Sequence, residues 1–178
     1  HVGPFTRYIN GGVGASDSTI QYPDGNLIQF YHGLEPRLSL RWLLPDNSSI
    51  KAGYSYNYQY VHLTALSAVS LPTDIWYPTT DLAKPQIGYQ ASVGYFKNFF
   101  DDMLETSVEV YYKKMNNMIE YKEGALPGDN VNDNTDNLLV FGEGWSYGIE
   151  FFIKKSLGQF TGWIGYTWAK SDRLFPDL

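Results

Sequence analysis

Between Glu35 and Tyr60 the residues fall into two alternating classes. Leu38, Leu40, Trp42 and Leu44 alternate with Arg37, Ser39 and Arg41. After the turn "PDNSS", Ile50, Ala52, Tyr54, Tyr56, Tyr58 and Tyr60 alternate with Lys51, Gly53, Ser55, Asn57 and Gln59. A period of two marks a strand whose faces meet different surroundings, and a helix would need apolar residues three and four apart. Four further runs share the pattern: Gly88–Lys97, Met103–Lys113, Gly144–Lys154 and Phe160–Lys170. In the last of these Trp163 interrupts the alternation. The pattern predicts six strong strands, each of about ten residues.

The connections have a rhythm. Pro45–Ser49, Asn98–Asp102 and Lys155–Gln159 have hairpin lengths of about five residues, whereas Val61–Ile87 and Met115–Glu143 exceed about twenty. In an antiparallel meander alternate connections lie at opposite ends, so one end should carry tight turns and the other long loops. Aromatics gather near both ends of the runs. Trp42, Tyr95, Phe99, Phe100, Phe151 and Phe160 are assigned to the short-turn end. Tyr58, Tyr60, Tyr112, Trp145, Tyr147, Tyr166 and Trp168 are assigned to the long-loop end. The segment before Glu35 reads as loop, with Val2–Ile9 and Leu27–Tyr31 extended and "YPDGN" a tight turn.

Composition narrows the reading. The chain has 178 residues, 17% aromatic, with a net charge of −6 and no cysteine. The negative charge argues against a nucleic-acid partner. The absence of cysteine excludes disulfides and thiolate metal sites. No apolar run is long enough for a membrane helix, but alternating strands cross a bilayer at low average hydropathy. A mean hydropathy of −0.31 is compatible with that. The opening at His1, without Met or a signal-like segment, reads as that of a processed chain or a piece of a longer one.

Alternation alone does not say which face looks outward. In a soluble sandwich the apolar face points into a core; in a membrane barrel it points to lipid. Strand length matches the about 9–11 residues of a spanning strand. Together with the loop rhythm and the two aromatic zones, it favours the barrel. The fold expected is therefore all-β: an antiparallel up-and-down transmembrane β-barrel segment of six to seven long strands. The competing expectation is a soluble β-sheet module binding a ligand, with carbohydrate the candidate, through exposed aromatics. That module would bury Leu38, Leu40, Val108 and Val110 in a protein core.

An ordered set of stretches adds a resemblance. These are "LEPRLSLRW", "SSIKAGYSYNYQYVHL", "VGYFKNF…LETSVEVYYKKMNNMIEY", "EGWSYGIEFFIKKSLG" and "GWIGYTWAKSD". From about Leu34 to Asp172 the chain resembles the later barrel portion of a TonB-dependent outer-membrane receptor, in the branch with a carboxypeptidase-regulatory-like N-terminal domain. The resemblance implies a non-enzymatic segment of a Gram-negative outer-membrane transporter for a bulky nutrient: glycan, peptide, siderophore or cobalamin-like. It implies outer-membrane lipid around the wall, and a TonB complex engaged through an N-terminal part that this chain lacks. A surface lipoprotein is a further candidate partner. The plug domain, the TonB box and the usual C-terminal aromatic are not in the sequence. Six or seven strands are also fewer than the eight of the smallest spanning barrels. Residues 1–178 are accordingly expected to be part of one barrel domain.

Candidate chemistry is sparse. The expected lumen-facing set is Arg37, Arg41, Lys51, Gln59, Glu105, Glu109, Glu150 and Lys154. Glu105 and Glu109 share a face, but four residues of strand separate them by about 13 Å, too far for an acid–base pair. His1, His32 and His62 lack zinc-site spacing, and "GGVGAS" lacks the Lys-Ser/Thr of a phosphate loop. Asn132, Asn134, Asp136 and Glu143 partly match a calcium loop. Asn137 stands where its glycine belongs and Asn132 where its first Asp belongs, so a solvated loop is the default and no cofactor is expected. In "SLPTDIWYPTT", prolines stiffen a loop carrying Asp74, Trp76 and Tyr77, the expected ligand contacts, with mutual packing of the loops as the bland alternative.

Overall fold

The computed structural model describes residues 3–9, 18–64, 75–125 and 135–176. In chain order the strands are β1 (Phe5–Ile9), β2 (Ser18–Tyr22), β3 (Arg37–Leu44), β4 (Ser48–Gln59) and β5 (Val61–Thr64). They continue with β6 (Ile75–Pro78), β7 (Gln86–Phe99), β8 (Leu104–Tyr121), β9 (Leu139–Lys155) and β10 (Gly162–Leu174). A short 3-10 helix, Thr135–Leu138, precedes β9. Six strands form one antiparallel sheet in the order β10-β9-β8-β7-β4-β3. The sheet is open among the described residues, with β3 and β10 as its edges. Two small antiparallel pairs, β1–β2 and β5–β6, form hydrogen-bonded sheets of their own.

The register aligns the sequence pattern across all six strands. Leu40, Ala52, Val93, Val110, Ile149 and Trp168 form one cross-strand row. Trp42, Ile50, Tyr95, Val108, Phe151 and Tyr166 form the next on the same face. Among the described residues no protein layer covers these rows: Trp42 is 70% exposed and Trp168 54%. The soluble reading needs Leu38, Leu40, Val108 and Val110 buried, and all four are exposed. The opposite face presents Arg41, Lys51, Gly94, Glu109, Glu150 and Thr167 in one row.

The three turns joining β3–β4, β7–β8 and β9–β10 lie at one end of the sheet, as the loop rhythm predicts. Their backbones adopt positive φ, mostly at Asp, Asn and Gly, with Phe100 at 54° the exception. Asp46 and Asn47 sit at φ 59° and 51°, and Gly158 at 106°. Adjacent turns are tied by backbone bonds from Asn98 N to Asn47 O (3.0 Å) and from Ser156 N to Met103 O (2.9 Å).

Several boundaries differ from the sequence reading. β8 runs on to Tyr121 and β9 begins at Leu139, so much of the stretch expected as loop is strand. The cause is a bulge between Met115 and Met118, where Asn117 adopts φ 56°. One extra residue breaks the alternation, so the pattern ends where the strand continues. The loop after β4 contains the β5–β6 pair. In the first segment β1 lies within the predicted Val2–Ile9. β2 occupies residues read as loop, and the expected extension at Leu27–Tyr31 forms no strand. Tyr166 lies in the Trp42 row toward the short turns, not at the long-loop end. The chain enters β10 only at Gly162, so the residues of this strand sit lower than its first aromatics suggest.

Among the described residues, buried hydrophobic side chains are few and lie at the long-loop end: Ala83, Met118, Tyr121, Leu139 and Val140. There β5 packs against β8, and Asn117 Nδ2 donates to Pro85 O at 2.9 Å.

Candidate functional site

Two regions carry polar groups in organised form. The first is the polar face of the sheet. Arg37, Arg41, Lys51, Gln59, Glu105, Glu109, Glu150 and Lys154 all fall on it by register. Glu105 accepts from Lys154 Nζ at 3.0 Å and from Ser156 Oγ at 3.2 Å. Arg37 Nη2 donates to Asn57 Oδ1 at 2.9 Å. Arg41 stands directly opposite Lys51, and Glu109 opposite Glu150. Like charges so placed repel, and a sheet tolerates them where water or an opposite charge screens them. Lys51 Nζ lies 3.9 Å from the Phe96 ring centre. A cleft of about 770 Å³ near the short turns is lined by Arg41, Lys51, Phe96, Glu105 and Phe152 among others.

The second region is a roof formed by the long-loop segments. Its centre is Asp136, whose side chain is completely buried. Arg7 Nη2 donates to Asp136 Oδ2 at 3.1 Å. Thr80 Oγ1 lies 3.0 and 2.9 Å from the two carboxylate oxygens, and Tyr77 donates its hydroxyl proton to Oδ1. Arg7 also pairs with Asp81. Thr80 Oγ1 in turn accepts from Ala83 N at 2.9 Å, and Tyr31 donates to Thr80 O at 2.7 Å. Burial, then the hydrogen bond to Asp136, pushes the Tyr77 phenol far above its ordinary value, so it stays a neutral donor. Tyr31 moves the same way, through burial and then the charges of Asp81 and Asp136. His62 is 2% exposed, and burial pulls its imidazole below the usual value. Neither of its ring nitrogens has a hydrogen bond of normal geometry among the described residues.

The β5–β6 pair turns its two faces in opposite directions. His62 stands opposite Tyr77 on the buried side. Val61, Leu63 and Trp76 lie on the other side with Pro78, and Trp76 is 66% exposed. Asp74, Asn132 and Asn134 lie outside the described residues. Of the remaining calcium-loop residues, Asp136 is engaged as above and Glu143 pairs with Lys114 at 2.9 Å. Sequence reading did not find Arg7, Thr80 or Asp81, which come together only through tertiary folding.

An antiparallel sheet with an exposed apolar face, an ionisable opposite face, tight turns at one end and a loop roof at the other defines a wall of a membrane β-barrel. The family model for the TonB-dependent receptor-like β-barrel matches residues 7–177, and the chain belongs to that family. Members of this family are outer-membrane transporters of Gram-negative bacteria rather than enzymes. No curated protein and no solved structure matches the chain significantly.

Proposed function

We propose that the chain is a barrel-wall segment of an outer-membrane TonB-dependent transporter that takes up a bulky nutrient, whether glycan, peptide, siderophore or cobalamin-like. The observation that carries this is the pair of apolar rows, unbroken across six strands and left uncovered by protein, behind a face bearing the ionisable side chains. Such a wall needs lipid on one side and water or protein on the other. Arg41–Lys51 and Glu109–Glu150 then face the interior, where water or a plug domain screens them. The Trp76 face of the β5–β6 pair is the ligand contact. It offers an indole flanked by Val61, Leu63 and Pro78 on a braced hairpin. Energy comes from the TonB complex through an N-terminal part of the receptor, and a surface lipoprotein is a candidate partner above the loops.

The test is uptake by the full-length receptor. Trp76→Ala should leave the receptor in the outer membrane at normal level and weaken nutrient binding about tenfold. Unchanged affinity would remove Trp76 from the binding surface. Recovery of the receptor in the soluble fraction would remove the transporter reading altogether.

A further inference from the structure

We infer that Asp136 is a positioning residue that fastens the N-terminal β1–β2 hairpin and the Trp76 hairpin into one roof and so fixes the direction in which Trp76 points. The last part rests on the reading of Trp76 as a ligand contact.

Asp136 receives hydrogen bonds from residues 129, 59 and 56 positions away in sequence. A carboxylate offers about four acceptor sites, and Arg7, Tyr77 and Thr80 occupy both oxygens. Both oxygens are held by side chains of the chain itself, so its role is to hold the chain. The Arg7 side chain is only 6% exposed and bridges Asp136 to Asp81. The cation of β1 is thereby held between the segment after β6 and the 3-10 helix.

Transmission to Trp76 follows from strand geometry. Neighbouring residues of a strand point to opposite faces. Tyr77 is drawn inward to Asp136, so Trp76 must point outward, beside Leu63 and Val61. A slip of one residue would bury the indole and expose the phenol. Releasing Tyr77 removes what prevents that slip, and releasing Arg7 frees β1 at the same moment.

The test uses the full-length receptor in the outer membrane of intact cells, with protease added outside. Chymotrypsin reports cleavage after Trp76, trypsin reports cleavage after Arg7, and heat-modifiable gel mobility reports the barrel. Asp136→Asn should raise cleavage at both distant places at least about tenfold with gel mobility unchanged. Arg7→Lys, which keeps a cation, should stay protected after Trp76, and Arg7→Met should not. A role confined to the 3-10 helix would leave Arg7 protected in Asp136→Asn and would overturn the proposal, as would wild-type rates at both places. Should Asp136→Asn fail to reach the membrane, Tyr77→Phe removes a single donor. Faster cleavage after Trp76 then supports the proposal, and wild-type rates overturn it. If cleavage rises while Trp76→Ala leaves nutrient binding intact, the fastening stands and only the ligand-contact reading falls.

Discussion

The wall and the roof of this molecule bury opposite kinds of side chain. In the six-stranded wall the large apolar residues are exposed and the regular backbone ladder is the main internal bond. In the roof the most buried groups include Arg7, His62, Thr80 and Asp136, and the sheet buries apolar side chains only at the ends of β8 and β9 beneath it, Met118, Tyr121, Leu139 and Val140, among the described residues. The contrast follows from the two surroundings. A wall that meets lipid needs no apolar core, because the bilayer supplies the apolar phase and the strands pair every backbone group. A roof in water must make its own interior. With short hairpins and few large aliphatics it does so around a buried ion pair.

The two regions should therefore break in different ways. The largest effect is expected in the roof. Arg7→Met leaves Asp136 and Asp81 without their cation, and removing one partner of a buried pair costs about 3–5 kcal/mol. Hydrogen exchange of the β5–β6 amides should accelerate while β7–β9 stay protected. The next is in the wall. Val110→Arg places a charge in the middle apolar row and should cost about 2–4 kcal/mol of folding stability in lipid bilayers. Ser92→Arg, on the polar face of the neighbouring strand, should cost far less. Equal costs would mean that both faces meet the same medium.

A third effect concerns packing. A Cβ added at Gly148 would fall 2.7 Å from Trp168 O and 3.0 Å from Tyr111 Cε1. Gly148→Val should therefore force β9 and β10 apart at a cost of about 1–3 kcal/mol, read as a lower denaturation midpoint. The smallest effect is pH dependence in the roof. Burial favours neutral His62, so its folded pKa lies below the roughly 6.5 of a free imidazole. The opened roof then binds the proton first. The contribution of His62 to roof stability is complete above about pH 6.5 and is lost as pH falls from there toward the folded value. Exchange of the β5–β6 amides, corrected for intrinsic rate, should rise on acidification. His62→Phe should abolish that dependence.

The wall was largely legible in the sequence because its rule is local. Leu38 to Leu44, Ile50 to Tyr60 and Val108 to Tyr112 each declare their face by alternation, and Pro45–Ser49 declares its turn. The eight polar-face residues came from the same rule. Legibility failed where one residue disturbed the count. The bulge at Asn116–Asn117 hid seven residues of β8, and the late start of β10 misplaced Tyr166. The roof was not legible, because its rule is not local. Nothing near Arg7 announces Asp136, and nothing near Asp136 announces Tyr77. The loop prolines did draw attention to Trp76 and Tyr77 but could not say that one points out and the other in.

This chain has no cysteine to compete with an introduced label, so once any cysteine elsewhere in the receptor is replaced by serine the orientation of the wall is measured directly. Single cysteines at Val108, Glu109, Val110 and Tyr111 in the full-length receptor can be spin-labelled in lipid bilayers. Collision rates with oxygen, which concentrates in lipid, and with a water-soluble nickel chelate then report each environment. The account predicts high oxygen contact at 108 and 110 and high nickel contact at 109 and 111. The reverse alternation, or labels at 108 and 110 shielded from both reagents, would contradict it.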